Sequence, residues 1–362
     1  MDRAAATMRG WPNVEVTIVE AQTGVSGYMA WVAAVAVWAT AWGVAVGVVG
    51  VSVLMAYLRY ANTRARPCTA PDMMKGKTVL VTANDDGGVG EEVARDLAGR
   101  GARVMLATPT LARAERQAAA ITAFTGNEEV KGLQLDTSSM ASVKQFGKQF
   151  ITTEKRLDVL VLAAGRGAPP NRTETEEGLE VTLATNHLGH FLLVNLLLGV
   201  LMTSSPSRVV VKASSAHYML SSITPKDLNF KKGDYGALAA YALSQLCNAF
   251  MATNLTILTA GSGLVVNSAC PGLVLSEPYL SPGGVMAWLY DAGLSFVGRT
   301  PEQGAQTLIH AAVSRQGASI SGAFFTDCEE TKLTGLAADA GLAKKVWEVS
   351  EGLVGLLPQD HE

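Results

Sequence analysis

From Thr78 onward, short runs rich in β-branched and other apolar residues alternate with longer stretches of helical periodicity. The candidate strands are Thr78–Thr82, Arg103–Ala107, Lys131–Leu135, Val159–Ala163, Arg208–Ala213 and Leu264–Ala269. Helical patterns fall between them over Glu91–Arg100, Leu111–Phe124, Ser142–Phe150, Glu177–Leu201 and Leu238–Leu258. Strands that are apolar nearly throughout have no face to give to water. Separated by helices, they predict an α/β fold, a doubly wound parallel sheet covered on both sides.

A second feature precedes this pattern. No charged residue stands between Glu20 and Arg59, and the apolar core of that stretch runs for 30 residues from Tyr28 to Tyr57. A bilayer needs about 20 apolar residues in a helix, and a cleavable signal has an apolar region of only about 7–15. The stretch therefore predicts one retained N-terminal transmembrane helix in contact with the lipid bilayer, with Tyr28, Tyr57 and Tyr60 placed like interfacial residues. Arg9 flanks it on one side; Arg59, Arg64, Arg66, Lys75 and Lys77 flank it on the other, which puts the main domain in the cytosol. Gly43 and Gly47 have the spacing that lets two such helices approach, so a homodimer is one expectation, although that spacing also arises by chance in a segment so rich in Gly and Ala. The expected organisation is a tail over 1–27, the anchor over 28–58, a basic linker over 59–74 containing Pro67 and Pro71, the main domain over 75–357 and a tail over 358–362.

Net charge is −3, from 29 basic and 32 acidic residues, which argues against a nucleic-acid partner. Cys68, Cys247, Cys270 and Cys328 lack metal-ligand spacing, and no metal is expected. Between the first candidate strand and helix, the turn Thr82-Ala-Asn-Asp-Asp-Gly-Gly-Val-Gly90 lies where a dinucleotide phosphate would sit. Glycines let a backbone approach a pyrophosphate, and a helix N-terminus offers amides and a positive dipole. Asn84, Gly88, Val89 and Gly90 are the candidate contacts.

The strings Asn186-His-Leu-Gly-His-Phe191, Ser214-Ser-Ala-His217, Ala240-Tyr-Ala-Leu-Ser244, Cys270-Pro-Gly272 and Thr300-Pro-Glu-Gln-Gly-Ala-Gln-Thr307 carry a resemblance. In this order they resemble the short-chain dehydrogenase/reductase family, and more closely its membrane-anchored retinol dehydrogenases, over about residues 75–357. The resemblance implies a Rossmann-type domain, an NADP or NAD cofactor and hydride transfer on an apolar small-molecule alcohol or carbonyl, retinoid- or lipid-like. Residue by residue it implies Tyr241 as acid/base, Ser214 (with Ser215 as its neighbour) as donor to the substrate oxygen, and Asn186 as proton relay. It places Asp136 near the adenine, and Gly165, Pro271 and Gly272 along the cofactor groove. It also implies the endoplasmic reticulum, with a mitochondrial membrane as the alternative. The final helix, with Trp347, is expected over the substrate side or against the membrane.

The departures from the family pattern are specific. The lysine expected four residues after Tyr241 is Gln245. A cation about 4 Å from a phenol is worth on the order of 4 kcal/mol at an effective dielectric near 20, roughly three pKa units. Glutamine supplies no charge, although its amide can hydrogen-bond ribose hydroxyls. Oxidation, which needs Tyr241 as a base, suffers more than reduction, which needs a proton donor. The first glycine of the turn is replaced by Ala83 or Asn84, depending on how the longer turn is counted, at a cost of roughly 1 kcal/mol if that position needs φ > 0. Asp85 and Asp86 add negative charge there. The family's Asn-Asn-Ala-Gly is Leu162-Ala-Ala-Gly165, and its NADP-selecting arginine is absent from Leu106-Ala-Thr-Pro109, leaving Arg113 to reach a 2′-phosphate. Lys212 lies two residues before Ser214 on the same face of a predicted strand. A lysine there is costly unless paired; it could replace the missing cation, or it could mark a frayed strand or an exposed edge. The alternative to an enzyme is a degenerate family member that serves as a binding or scaffold subunit in a membrane.

Overall fold

A computed structural model describes residues 47, 49–57, 59–60, 66–71, 73–84, 87–275 and 295–356. Most of the expected anchor, with Gly43, lies outside the described residues, as do Asp85 and Asp86. The chain divides into two units, Met1–Leu58 and Arg59–Glu362. In the first, residues 49–57 are helical, and Val49, Val51, Val53, Leu54 and Tyr57 are exposed.

The second unit carries the expected α/β sheet. Its strands are β1 (Thr78–Thr82), β2 (Arg103–Thr108), β3 (Val130–Gln134), β4 (Val159–Leu162), β5 (Ser207–Lys212), β6 (Leu264–Cys270), β7 (Phe324–Thr326) and β8 (Glu329–Thr331). The spatial order is β3-β2-β1-β4-β5-β6-β7-β8. Every pairing is parallel except β7 with β8. The helices are α1 (Val89–Gly99), α2 (Leu111–Thr125), α3 (Met140–Thr153), α4 (Val181–Thr203), α5 (Ala237–Leu258), α6 (Pro301–Val313) and α7 (Ala340–Val354).

Strand side chains alternate between faces, and the core divides accordingly. Leu80, Met105, Leu160 and Val209 pack with α3, α4, α5 and α7. Val79, Val104, Val161 and Val210 pack with α1, α2 and α6. Both faces of the inner strands β1, β2, β4, β5 and β6 are almost wholly buried, which explains why these read as apolar runs, whereas the edge strands β3 and β8 are largely open to water.

Among the described residues one helix, α4, is long and apolar enough to cross a bilayer, but most of its apolar stretch is buried in this core. It was expected to begin near Glu177. Instead Gly178 takes φ +73 and Glu180 caps the helix, accepting from the Thr182 and Leu183 amides. Over Ala184–Leu188 the helix widens into a π turn. Strands β7 and β8 were not anticipated. They are three residues each, joined through Asp327 and Cys328, both at positive φ (52° and 60°). That is the backbone of a tight two-residue hairpin turn, here without its usual Asn-Gly. Trp347 packs edge-on to Phe191 with ring centroids 4.6 Å apart and is 8% exposed, so its place is the core.

Candidate functional site

The C-terminal ends of β1, β4, β5 and β6 converge on one edge of the sheet, the edge where open α/β folds place ligands. After β1, Gly87 is the left-handed residue among the described residues of the turn (φ +71); neither Ala83 nor Asn84 has a positive φ, so the expected strain there does not arise. The Gly87 amide donates to Glu91 Oε2 at 2.7 Å, and Gln117 Nε2 donates to the same oxygen at 3.0 Å. Asn84 Nδ2 donates to Gly165 O at 2.9 Å, tying the turn to the end of β4. Arg113 Nη1 donates to Asn84 O, which brings a guanidinium to the turn. Gly88 caps α1 with no side-chain hydrogen bond to its first-turn amides. A Cβ on Gly90 would stand 2.7 Å from Ala83 Cβ and 2.9 Å from Thr82 O, so only glycine allows this approach of helix to strand. Val89 is buried beside it. An uncapped helix N-terminus, a glycine approach and a nearby guanidinium fit a dinucleotide pyrophosphate.

Asp136 lies two residues beyond β3. Its Oδ1 accepts from Ser138 N and Ser138 Oγ, at 2.8 and 2.6 Å. At the end of β4, Ala163 N and Ala164 N both donate to Thr82 Oγ1, at 3.0 and 3.1 Å. The same hydroxyl meets His190 Nε2 at 2.9 Å, and His190 Nδ1 meets Asn186 O at 3.0 Å. A carbonyl only accepts, so Nδ1 carries the proton and Nε2 accepts from Thr82. Thr82 and His190 thus tie together the strand ends where the family pattern has asparagine side chains.

Asn186 sits in the π turn and is 1% exposed. Its Oδ1 accepts from Arg166 N at 2.8 Å; its Nδ2 donates to Arg166 O and to Ser244 Oγ, both at 3.0 Å. Its carbonyl accepts from Asn248 Nδ2 at 3.1 Å, and that amide also donates to Lys212 O. The same carbonyl, within the widened turn, also meets His190 Nδ1. Ser244 Oγ also accepts from Gln245 Nε2 at 3.2 Å and donates to Tyr241 O at 2.7 Å. Asn186, Ser244, Gln245 and the backbone of Tyr241 therefore form one connected group. Tyr241 is buried, packed among Ala168, Ala240, Ala216, Phe230 and Tyr235.

Ser214 follows β5. Its Oγ accepts from Ala216 N at 3.2 Å, capping a short 3-10 helix over Ser215–Met219 that packs against α5. Accepting uses a lone pair and leaves the O–H free to donate. Ser215 is exposed, with Oγ 3.5 Å from Cys270 Sγ. Pro271 and Gly272 follow β6; Gly272 has φ +80 and lies against the guanidinium of Arg299, which donates to Pro271 O at 3.2 Å.

Burial lowers the pKa of His187 to about 4 and of His190 to about 3; it also lowers that of His217. Tyr235, whose hydroxyl donates to Pro169 O, is pushed up to about 12 by burial and then by Glu180. No group of three or more His, Cys, Asp or Glu among the described residues could hold a metal.

Thr82, Gly87, Glu91, Ser244, Asn248 and Arg299 had not been singled out from the sequence. Thr82 and Gly87 lie inside the quoted turn and Ser244 inside a quoted string, although no role was assigned to them; Asn248 and Arg299 gave no local signal, because their partners are distant in the chain.

A profile of the short chain dehydrogenase family matches residues 77–225. Human retinol dehydrogenase 11 is 39% identical over 289 residues, covering 80% of this chain and 89% of the relative. The chain belongs to the short-chain dehydrogenase/reductase family. Human retinol dehydrogenase 14 is 37% identical over 312 residues, with 79% and 89% covered. Among solved members of similar fold, an uncharacterised protein from Mycobacterium Paratuberculosis is 28% identical, with a TM-score of 0.63 over 79% of this chain and 96% of that one. Within the family, this chain is similar to the retinol dehydrogenases. The family uses nicotinamide dinucleotides, and the glycine turn above is the part of this fold that fits one.

Proposed function

We propose that this protein is an NADP-linked oxidoreductase of the retinol dehydrogenase type. It is held to a membrane by residues 28–58, with its main domain in the cytosol, and acts on an apolar retinoid- or lipid-like carbonyl or alcohol. The observation that carries the reading is the connected group Asn186–Ser244–Tyr241 at the same sheet edge as the glycine turn.

Asn84, Gly88, Val89 and Gly90 would hold the pyrophosphate, with Arg113 available to a 2′-phosphate and Asp136 to the adenine end. Gly165, Pro271 and Gly272 would line the nicotinamide end, and the amide of Gln245 would hydrogen-bond ribose hydroxyls. A bound reduced nicotinamide supplies the hydride that reaches the carbonyl carbon. The phenol of Tyr241 gives its proton to the carbonyl oxygen, and Ser214 donates a hydrogen bond to the same oxygen. The phenol recovers its proton from solvent, along a path that the buried Asn186 helps to order through its bonds to Arg166 and Ser244.

Because position 245 is neutral, Tyr241 is a better proton donor than base, so reduction is favoured near neutral pH. The relatives named for retinol, together with the uncharged stretch before Arg59, support an apolar substrate met at the bilayer. The test uses the full chain in detergent micelles, titrated with NADPH and NADH by fluorescence and then assayed with retinal. Binding and turnover are expected; no binding up to millimolar cofactor overturns the reading. Binding without turnover of retinal, lipid aldehydes or steroids favours a ligand-binding subunit, the reading that the neutral Gln245 would support.

A further inference from the structure

Lys212 ends β5 and is 8% exposed, an unusual position for an ammonium. A Cβ built on Gly165 would meet Lys212 Nζ at 3.1 Å and Asn186 Oδ1 at 3.3 Å, so the ammonium and the amide oxygen bear on the same point of the backbone. That point lies in the groove assigned to the nicotinamide end of the cofactor. From Asn186 the connection runs through its Nδ2 to Ser244 Oγ, which donates to the backbone carbonyl of Tyr241 and accepts from Gln245 Nε2, so the residue that bears the phenol is fixed to this group through its main chain. The ammonium thus stands on the strand side of this group, across Gly165 from Asn186, where its family's lysine would approach from α5.

The other charged or titratable groups around this cluster do not offer the same charge. His187 and His190 on α4 are buried and neutral near pH 7, and His217 in the turn after β5 is displaced in the same direction. The positive charge of Lys212 is itself one cause of the low value at His190. Arg166, after β4, has an exposed side chain. Tyr235 and the buried Glu180 lie toward the start of α5, and a carboxylate would oppose a phenolate rather than favour it.

We propose that Lys212 is a positioning residue that supplies, from the end of β5, the positive charge position 245 lacks, and so favours the phenolate of Tyr241. The proposal rests on the redox reading above for its use, but its physical content is a property of the apoprotein. A cation at the end of β5 rather than on α5 compensates in part, so the bias toward reduction persists and deepens when the cation is removed.

The test compares the full chain in micelles with Lys212→Met, Lys212→Met/Gln245→Lys and Tyr241→Phe. Tyrosinate absorbance is followed against pH without cofactor, and subtracting the Tyr241→Phe curve isolates one phenol. Lys212→Met is expected to raise its midpoint by about one unit or more, and the double variant to bring it back. With NADP and retinol, Lys212→Met is expected to lower kcat for oxidation about tenfold or more and to shift the pH profile upward; reduction is affected less. A midpoint unchanged in Lys212→Met overturns the proposal, whether or not the enzyme turns over. A midpoint that moves in a protein inert toward every substrate upholds the proposal and overturns the redox reading.

Discussion

Asn186 donates through Nδ2 to the hydroxyl of Ser244 at 3.0 Å, and this bond joins the π turn of α4 to the turn of α5 that bears Tyr241. Two helices on one face of the sheet are thereby fixed to each other at the edge where the glycine turn begins. Both groups are buried, so neither can exchange the bond for water without cost.

Tyr241→Phe removes the only proton the proposed reaction takes from this helix. Turnover of retinal is expected to fall by about 10²- to 10⁴-fold. NADPH affinity, read by fluorescence, is expected to stay within a factor of about three, since the ring stays in its packed site. A variant that keeps more than about a tenth of wild-type kcat would show that another group donates the proton.

Gly90→Ala places a methyl group 2.7 Å from Ala83 Cβ and 2.9 Å from Thr82 O. Helix α1 must move away from β1, at a cost of about 1–3 kcal/mol. Urea denaturation measures that loss, and NADPH titration should show weaker binding in the same variant. Unchanged stability would mean that helix and strand are not in contact at this point.

Arg113 reaches the turn at Asn84 O. Arg113→Ala is expected to weaken NADPH binding by about tenfold while changing NADH binding little, because only the former carries a 2′-phosphate for a guanidinium to grip. Equal losses for both would assign the arginine to holding the turn.

His187 and His190 are neutral in the fold, with pKa values of about 4 and about 3 against 6.5 for an ordinary histidine. Below the ordinary value the unfolded chain takes up protons that the fold refuses. Their contribution is complete above that value and declines as pH falls toward the folded values, by about 1.4 kcal/mol per pH unit for each histidine. His190→Gln should flatten the dependence of the urea midpoint between about pH 6.5 and 5, by one histidine's share. A slope equal to wild type would show that His190 is protonated in the fold.

The sheet was legible because burial on both faces leaves its mark within each strand: β1 was placed at its observed bounds and β2 to within one residue. Strands β7 and β8 escaped notice because three residues are too few for a period to show, and their turn relies on Asp327 and Cys328 rather than glycine. The beginning of α4 was misplaced because Glu177 to Glu180 are helix-compatible in composition; Gly178 and the Glu180 cap decide it. In the candidate site, Tyr241, Ser214 and Asn186 could be located by their strings. The bonds that connect them could not, since Ser244 and Asn248 act on partners about 60 residues away in the chain. Lys212 could be noticed from its spacing to Ser214, yet only the backbone of Gly165 reveals which way its ammonium reaches.

The widened turn over Ala184–Leu188 carries a constraint on how this segment can vary. A helix advances about 100° per residue, so one surplus residue rotates everything after it by that angle relative to everything before. Leu183 before the widened turn and Phe191 after it both pack in the same apolar core. Deleting a single residue there would turn the entire second half of α4 out of phase with the sheet. The turn in which Asn186 meets Ser244 and Asn248 is therefore also what keeps four turns of helix correctly aimed, and neither can be altered alone.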